Sequence, residues 1–328
     1  MTTYGSISQR TAAWAATQML KAAEPILVLQ KFAQVKPIPK NTAEAVKFRR
    51  PVPFAPATTP LVEGVTPAAK AMTYVDVAVT LGQYGDVISI TDKVADLAED
   101  PVLKDATDQC GPQAAETTEV ITWGVLRGGT SVLYGNGVAR NAVNTTIALS
   151  KLRAATRFLK AQRAKEVTKM LASDVKFGSE PVAPAFIAFG HTDLEADIRN
   201  LAGFVPAEKY GQAVQALPYE IGKVEGIRFI LTPVLEPWAD AGGAKGAMKS
   251  TGGTSADVYP LVIVGAEAYG VTPLKGANAI KPMVLNPGEP RGGDPLGQRG
   301  SVGWKTWFAA VRLNEAWMTR IEVAVTDL

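Results

Sequence analysis

The feature that most constrains this chain is a pair of alternating segments separated by a proline-rich stretch. Residues 46–49 (VKFR) and 74–81 (YVDVAVTL) place apolar side chains at every second position, a pattern typical of β-strands with one buried face. The prolines between them disfavour both a helix and a central strand but allow an extended loop. The segments therefore predict a long β-hairpin whose tip contains Pro51, Pro53, Pro56, Pro60 and Pro67.

Such a hairpin needs a second surface to be stable. An isolated two-stranded ribbon is marginal in water, because its one small face does not offset the entropy lost on ordering it. The rest of the same molecule or a neighbouring copy could supply that surface. The residues before the hairpin favour a neighbouring copy, because the amphipathic stretch from Ser8 to Leu29 and the extended run around Pro37 and Pro39 predict an arm that must also pack on something.

Length and composition exclude several classes of protein. With 328 residues the chain exceeds a usual single core of about 100–200 residues, which predicts two lobes or one lobe with long appendages. No apolar run reaches the roughly 20 residues of a membrane helix, and the first ten residues lack the pattern of a secretory signal. The single cysteine, Cys110, rules out an intrachain disulfide and is expected to be buried and inert. A net charge of +3 is too small to indicate a nucleic-acid binder.

Two helices are predicted in the middle of the chain. The first runs from Asp100 to Arg127, and its Gly111-Pro112 pair indicates either a kink or the start of a new helix. A glycine-rich stretch from Gly128 then predicts the end of one lobe.

The second helix is predicted to run from about Thr146 to Ser173, and it is followed by apolar strands that alternate with helical segments. This alternation predicts an α/β or α+β lobe. The predicted elements are buried strands at Pro184 to Gly190, Gly226 to Thr232 and Tyr259 to Gly265, and a closing hairpin formed by Trp307 to Leu313, a turn at Asn314, and Met318 to Val325.

The order of these elements, together with several sequence motifs, resembles the major capsid proteins of tailed bacteriophages, whose fold is shared with herpesvirus shells. The resemblance covers about residues 46–328. It rests on the closing tryptophan-rich strand, the YPLVIVG strand, and four motifs: FRRPVP (Phe48 to Pro53), LVEGVTP (Leu61 to Pro67), VTLGQYGDVISITD (Val79 to Asp92) and YEIGKVEGIRFILT (Tyr219 to Thr232).

The resemblance implies an α+β fold: the tailed-phage major capsid protein fold, with an N-terminal arm, an extended β-hairpin loop, a peripheral lobe with a spine helix and an axial α/β lobe. The Gly111-Pro112 pair departs from the family pattern, because it puts an unbroken spine helix in question. The expected divisions are an arm at 1–45, the extended loop at 46–90, the peripheral lobe with its spine helix at 91–145, the axial lobe at 146–282, and return strands completing the peripheral lobe at 283–328.

The resemblance also implies a function. The expected protein is a major capsid protein that forms pentamers and hexamers and closes them into an icosahedral shell, first a prohead and then a mature head, around double-stranded DNA. Its extended loop would lie across the adjacent subunit. The expected partners are other copies of the chain, a separate scaffolding protein, a portal protein and packaged DNA held nonspecifically. The expected place is the virion, after synthesis in the bacterial cytoplasm, with no cofactor, metal, membrane or enzymatic activity.

Candidate subunit contacts lie in the hairpin and in the strand that leaves it. Arg49, Arg50 and Glu63 would make charge-assisted contacts with a neighbour, or they would form a solvated edge that discourages nonspecific pairing. Asp92 is also a candidate helix cap. The full set of candidate contact residues is Phe48, Arg49, Arg50, Pro53, Leu61, Glu63, Tyr84 and Asp92.

A basic face is predicted on the second helix. Phosphate neutralisation would make it a DNA-facing surface inside a shell, whereas a solvated or subunit-contacting face is the favoured interpretation because basic helix faces are common. Its residues are Lys151, Arg153, Arg157, Lys160 and Arg163.

The alternative hypothesis is a monomeric cytoplasmic α/β enzyme that uses His191, the only histidine. It follows an apolar strand, where α/β enzymes place catalytic groups, but the sequence has no nucleophile elbow to accompany it. A structural histidine near a helix start is favoured, and Asp193, Glu195 and Asp197 fit the acidic start of a helix. The stretch GGAKGAMKS does not fit a phosphate-binding loop, because Met248 stands where that loop needs glycine.

Overall fold

The computed structural model describes residues 27–39, 44–93, 102–171, 179–210, 216–275, 281–285, 287–288 and 292–328. Most of the predicted arm, including nearly all of its amphipathic stretch, lies outside these residues. The helices are α1 (Val102–Arg127), α2 (Leu149–Ala161) and α3 (Glu195–Arg199). None of the helices in these ranges is long and apolar enough to span a lipid bilayer.

The described strands are distributed along the whole chain. They are β1 (Gln34–Val35), β2 (Ile38–Pro39), β3 (Ala45–Pro51), β4 (Tyr74–Thr80), β5 (Gly82–Thr91), β6 (Val132–Tyr134), β7 (Val167–Leu171), β8 (Ser179–Gly190), β9 (Val205–Pro206), β10 (Glu220–Val224), β11 (Ile227–Leu231), β12 (Tyr259–Val264), β13 (Tyr269–Val271), β14 (Leu274–Lys275), β15 (Lys281–Leu285), β16 (Arg299–Phe308), β17 (Ala310–Arg312) and β18 (Met318–Val323).

The larger core is built on an eight-stranded mixed sheet. Its order is β6-β18-β12-β8-β11-β10-β9, with β7 also paired to β8. Strands β11, β12 and β18 are buried at every position. Burial explains the apolar runs of β11 and β12 and confirms the buried strands predicted there. Successive residues of β8 enter two different clusters: Phe186 packs with α2, while Ile187 packs with the end of α1. The sheet is therefore covered by a helix on each face.

The smaller core lies between helix α1 and the antiparallel sheet β15-β16-β5. Ile90, Val302 and Trp304 of the sheet pack against Cys110 and Ala114 of the helix. Cys110 is buried, as predicted, and burial raises the pKa of its thiol. The first half of α1 thus belongs to the smaller core, and its second half belongs to the larger one.

Helix α1 is continuous through Gly111-Pro112. Pro112 lies inside its 26 residues, about 39 Å of helix, although a proline removes the hydrogen bond to the fourth preceding carbonyl, here that of Asp108. Cys110 and Ala114 lie on either side of the proline and are both buried against the sheet. Their packing holds the helix on both sides of the missing hydrogen bond.

The prediction that the second helix reaches Ser173 is wrong, because α2 ends at Ala161 and the chain returns as strand β7. The helix closes with a Schellman arrangement: Arg163 has a positive φ of 56°, its N–H donates to the carbonyl of Lys160, and the N–H of Ala164 donates to the carbonyl of Leu159. Glycine usually occupies this left-handed position. Because arginine occupies it here, the sequence carries no stop signal.

The predicted closing hairpin is also wrong. Strand β17 pairs with β13 in a three-stranded sheet completed by β1, whereas β18 runs between β12 and β6 in the large sheet. A single 3-10 turn at Glu315–Trp317, capped by the Asn314 side chain, redirects the chain between them. Alternation identified the strands, but their partners lie elsewhere in the sequence.

Candidate functional site: the extended hairpin

The predicted hairpin is present as the antiparallel pair β3 and β4. Its register runs from Ala45 opposite Thr80 to Pro51 opposite Tyr74, and one further hydrogen bond joins the N–H of Val52 to the carbonyl of Thr73 at 2.9 Å. Pairing ends there, and residues 53–72 form an exposed tip.

Phe48 anchors the hairpin to the body of its own subunit. It is the buried residue of β3 and packs over Gly270 of β13, where an added Cβ would lie 2.9 Å from the Phe48 ring. Lys36 lies 5.7 Å from the centre of the same ring and donates a 2.7 Å hydrogen bond to the carbonyl of Lys47. Phe48 was predicted to contact a neighbour, but in the single subunit it is covered by its own chain.

Arg49 and Arg50 point to opposite sides of the hairpin, as adjacent strand residues must. Arg49 makes a bidentate ion pair with Asp76, which lies directly opposite it, at 2.7 and 2.8 Å. The guanidinium holds the pKa of Asp76 below its usual range. Its charge also lies 5.4 Å from the Tyr74 ring. Arg50 lies 6.0 Å from the ring of Trp317 on the body of the subunit.

The tip beyond Val52 is apolar and exposed. Leu61, Val62 and Val65 are 78%, 67% and 62% exposed around a turn in which Gly64 has a φ of +79°. The N–H of Val65 closes the turn on the carbonyl of Val62. Pro53 and Glu63 are also exposed. Within the described part of the chain, no hydrogen bond or ion pair joins residues 53–71 to the body of the subunit.

Exposure of this kind indicates an interaction surface. Fully burying one large apolar side chain contributes roughly 1.5–3 kcal/mol, and contiguous apolar patches on soluble proteins mark contact sites. The tip adds Phe54 and Met72, both more than half exposed. Among the described residues of the subunit, no surface covers these side chains.

A second exposed apolar surface lies on the face of the β15-β16-β5 sheet that points away from α1. It is a groove of about 480 Å³. Val87, Gly303 and Met283 are paired across the three strands, and Leu285 extends the apolar wall. Val87 is 63% exposed and Met283 is 48% exposed. The groove could not be predicted from the sequence, because its walls come from segments about 200 residues apart.

Glycines form the floor of the groove. A Cβ at Gly303 would lie 2.6 Å from the carbonyl oxygen of Asp86, and one at Gly85 would lie 2.4 Å from that of Trp304. Lys305 supplies a positive charge at the wall. Asp86 also lines the groove, but its carboxylate accepts a hydrogen bond from Gln113 of α1, on the other face of the sheet, and one from the N–H of Val87.

The two remaining candidate contact residues lie on the strand that leaves the hairpin. Tyr84 is half-buried against the smaller core. Asp92 is half-buried, accepts a 2.7 Å hydrogen bond from the N–H of Lys93, and donates its own N–H to the carbonyl of Gln298. Asp92 and Lys93 are themselves helical, and the rest of the helix that Asp92 was predicted to cap falls on residues 94–101, outside the described residues.

The basic face is divided between α2 and the turn that follows it. Arg153 is neutralised by Glu225, with Nε 3.0 Å from the carboxylate, and Lys151 is half-buried. Arg157, Lys160 and Arg163 are exposed. The face therefore presents fewer free charges than the sequence suggests.

His191 caps a short helix rather than facing a reacting group. Its Nδ1 accepts a 3.1 Å hydrogen bond from the N–H of Asp193, and burial lowers its pKa. Asp193 in turn accepts 2.7 Å hydrogen bonds from Lys249 and Tyr259. Among the described residues, no group of three or more His, Cys, Asp or Glu side chains is placed to hold a metal ion.

Comparison with known proteins gives a consistent picture. A sequence model of the family described as phage capsid protein matches residues 74–321. No curated protein sequence matches the chain significantly. Among solved structures, the capsid of Ralstonia phage GP4 has a TM-score of 0.68 at 13% identity, covering 90% of this chain and 88% of that one.

Two further structures are similar. The head of Helicobacter pylori bacteriophage KHP40 has a TM-score of 0.61 at 10% identity, covering 92% of this chain and 89% of that one. The capsid of cyanophage Pam1 has a TM-score of 0.60 at 14% identity, covering 94% and 93%. At such identities the shared property is the fold, and the predicted fold class is confirmed.

Proposed function

Because this chain belongs to the phage capsid protein family and is a major capsid protein of a virion shell, we propose that its copies join as pentamers and hexamers through the extended hairpin. The observation that supports the proposal is the apolar tip, which the described part of its own subunit leaves exposed. A shell closed by such contacts would be icosahedral and would enclose double-stranded DNA.

The groove on the smaller sheet is the surface that we propose for the tip of the adjacent copy. Both surfaces are apolar and exposed, and their charges are complementary: Glu63 lies at the turn of the tip, and Lys305 borders the groove. From the last paired residues, about ten extended residues on each side allow the tip to reach roughly 30 Å. That distance is sufficient to cross onto a neighbour.

Burial of the tip would contribute to the affinity between copies and would fix the orientation of the tip in the groove. Leu61, Val62 and Val65 would pack between Val87 and Met283, while the absence of side chains at Gly303 leaves room for the tip backbone. An interface needs an apolar centre more than a large number of surface ion pairs. The Glu63–Lys305 pair would then fix the register of the tip in the groove.

The experiment is a paired substitution in the tip. Leu61→Asp with Val65→Asp should abolish shells, as seen by electron microscopy and sedimentation, while circular dichroism shows a folded subunit. Thr59→Asp, in the same exposed tip, is the matched control and should leave shells intact. Normal shells from the Leu61/Val65 variant would overturn the proposal.

We also propose the remaining partners and the division of the chain on the strength of the family. The partners are a separate scaffolding protein, a portal protein and packaged DNA held nonspecifically. The proposed lobes are peripheral for residues 91–145 and 283–328 and axial for 146–282, although β6 and β18, which lie in the peripheral ranges, are paired inside the large sheet.

No observation favours the alternative of a monomeric enzyme that uses His191. The family is one of capsid proteins, which are structural. The contacts of the histidine are those of a helix cap.

A further inference from the structure

A buried carboxylate holds the described end of the N-terminal arm on helix α1. Glu119 is 1% exposed. One of its oxygens accepts the N–H of Val28 at 3.1 Å, and the other accepts the N–H of Leu29 at 3.0 Å. These N–H groups lie at the start of the 3-10 turn Leu29–Phe32, where the turn itself offers them no acceptor. Glu119 therefore caps the turn from a different element.

The arm turn, defined as residues 27–33, is seated as part of the larger core. Val28 and Leu29 are fully buried and Phe32 is nearly so, in the same cluster as Trp123 of α1. The Phe32 ring lies 5.8 Å from that of Phe189 on the sheet. The turn thus fills the space between helix and sheet and covers the Glu119 carboxyl from water.

Two more hydrogen bonds fix the position of the arm turn. The Gln30 side chain donates to the Thr118 hydroxyl at 2.9 Å, and the Tyr269 hydroxyl donates to the carbonyl of Leu29 at 2.6 Å. Neither contact involves a group that ionises near neutrality. Burial raises the pKa of Tyr269 well above its usual value.

Glu119 does ionise near neutrality. Burial raises its pKa to about 7, against the opposite influence of the N–H groups it accepts and of the charge of Lys31 on the arm. Lys31 and Tyr269 are the other titratable groups that face it in the described part of the chain. Departure of the arm turn would return the carboxyl to water and its pKa to the ordinary value near 4.5.

The direction of the linkage follows from these two states. The seated arm raises the affinity of Glu119 for a proton, so protonation must favour seating. The free energy that keeps the arm turn packed on its own subunit is therefore largest at pH values below the ordinary carboxyl pKa. It weakens as pH rises towards neutrality, and above about pH 7 it levels off because the carboxyl is then ionised in both states.

We propose that Glu119 is a proton-operated latch that sets whether the N-terminal arm stays seated on its own subunit. This role goes beyond shell formation and does not depend on where the hairpin tip binds. Release of the latch would free the arm turn to reach a neighbouring copy and would uncover an apolar seat lined by Trp123 and Phe189.

Amide hydrogen exchange on the full-length protein tests the latch. In peptides covering residues 27–33, the opening constant, after correction for the intrinsic exchange rate, should rise about 10-fold to 100-fold between pH 5 and pH 7 and then level off. Glu119→Gln should abolish this dependence. Glu116→Gln, an exposed carboxyl on the same helix, is the matched control and should preserve it.

A further variant separates the latch from general weakening of the seat. Thr118→Val removes the hydrogen bond to Gln30 without touching the carboxyl, so exchange should be faster at every pH while its dependence on pH is retained. The wild-type profile alone can overturn the proposal: an opening constant that is flat, or that falls as pH rises, would show that Glu119 does not act in this way.

Discussion

Arg49 and Asp76 face each other across the hairpin and share two hydrogen bonds just before the strands separate into the tip. The pair satisfies the charge of Arg49 within its own subunit. We expect Arg49→Asp and Asp76→Arg each to reduce the yield of shells, because two like charges would then lie directly opposite each other on the paired strands β3 and β4. The exchanged double variant should assemble normally. Failure of the double variant would show that Arg49 serves a neighbour instead, as the sequence predicted.

Arg50 is the arginine that remains available to a neighbour. It lies 6.0 Å from the Trp317 ring and has no ion pair in the described residues. We expect Arg50→Glu to stop shell assembly while the subunit remains folded, as measured by electron microscopy and circular dichroism. Lys70→Glu, an equal charge change in the exposed tip, is the control. The contact would be refuted by normal particles from the Arg50 variant.

The proposed pairing of Glu63 with Lys305 predicts a charge-exchange result. Glu63→Lys and Lys305→Glu should each slow assembly, with the larger effect at low salt because the contact is electrostatic. The double variant should recover most of the rate in light-scattering measurements. If the double variant assembles no faster than either single one, the tip does not lie in this groove.

Gly303 should not tolerate a side chain. An added Cβ would lie 2.6 Å from the Asp86 carbonyl of the neighbouring strand, so Gly303→Ala is expected to cost about 1–3 kcal/mol of stability through overpacking. Gly226→Ala is the matched control, since its Cβ would meet nothing within 4 Å. Denaturant unfolding of both variants measures the difference, and equal midpoints would contradict the described packing.

His191 is expected to matter for stability and not for assembly. Loss of its cap to the N–H of Asp193 in His191→Ala should destabilise the subunit by about 1 kcal/mol and leave shells intact. Because burial lowers its pKa, the unfolded chain binds the proton more readily, so the wild type should lose stability as pH falls below the usual histidine range. A thermal melt at several pH values checks both points. A catalytic activity that disappears with this substitution would restore the enzyme hypothesis.

Much of the fold could be predicted from local patterns. The hairpin strands and the apolar runs of β8, β11 and β12 could be recognised because both patterns, alternating and continuously apolar, involve only consecutive residues. The end of α2 could not be recognised, because Arg163 adopts a conformation that usually requires glycine. The partners of β17 and β18 were not recognisable either, since strand pairing depends on segments far apart in the chain.

Only part of the candidate site could be predicted from the sequence, because the rest depends on contacts between distant segments. The tip is one continuous segment, and its prolines and apolar residues identify it directly. The groove needs Val87 and Met283 to meet across Gly303, and the latch needs Glu119 to meet Val28, some 90 residues away. On the sequence alone, Glu119 is one acidic residue of a helix among several.

The prolines of the tip have a consequence for the thermodynamics of a closed shell. A segment whose four prolines each have a fixed φ angle samples few conformations when it is free, so it loses little conformational entropy when it packs against another copy. A contact of small area is then sufficient for binding, and such a contact can still dissociate when a subunit has been added in the wrong place. The same contact, repeated around a closed surface in which every subunit is held by several others, becomes collectively irreversible.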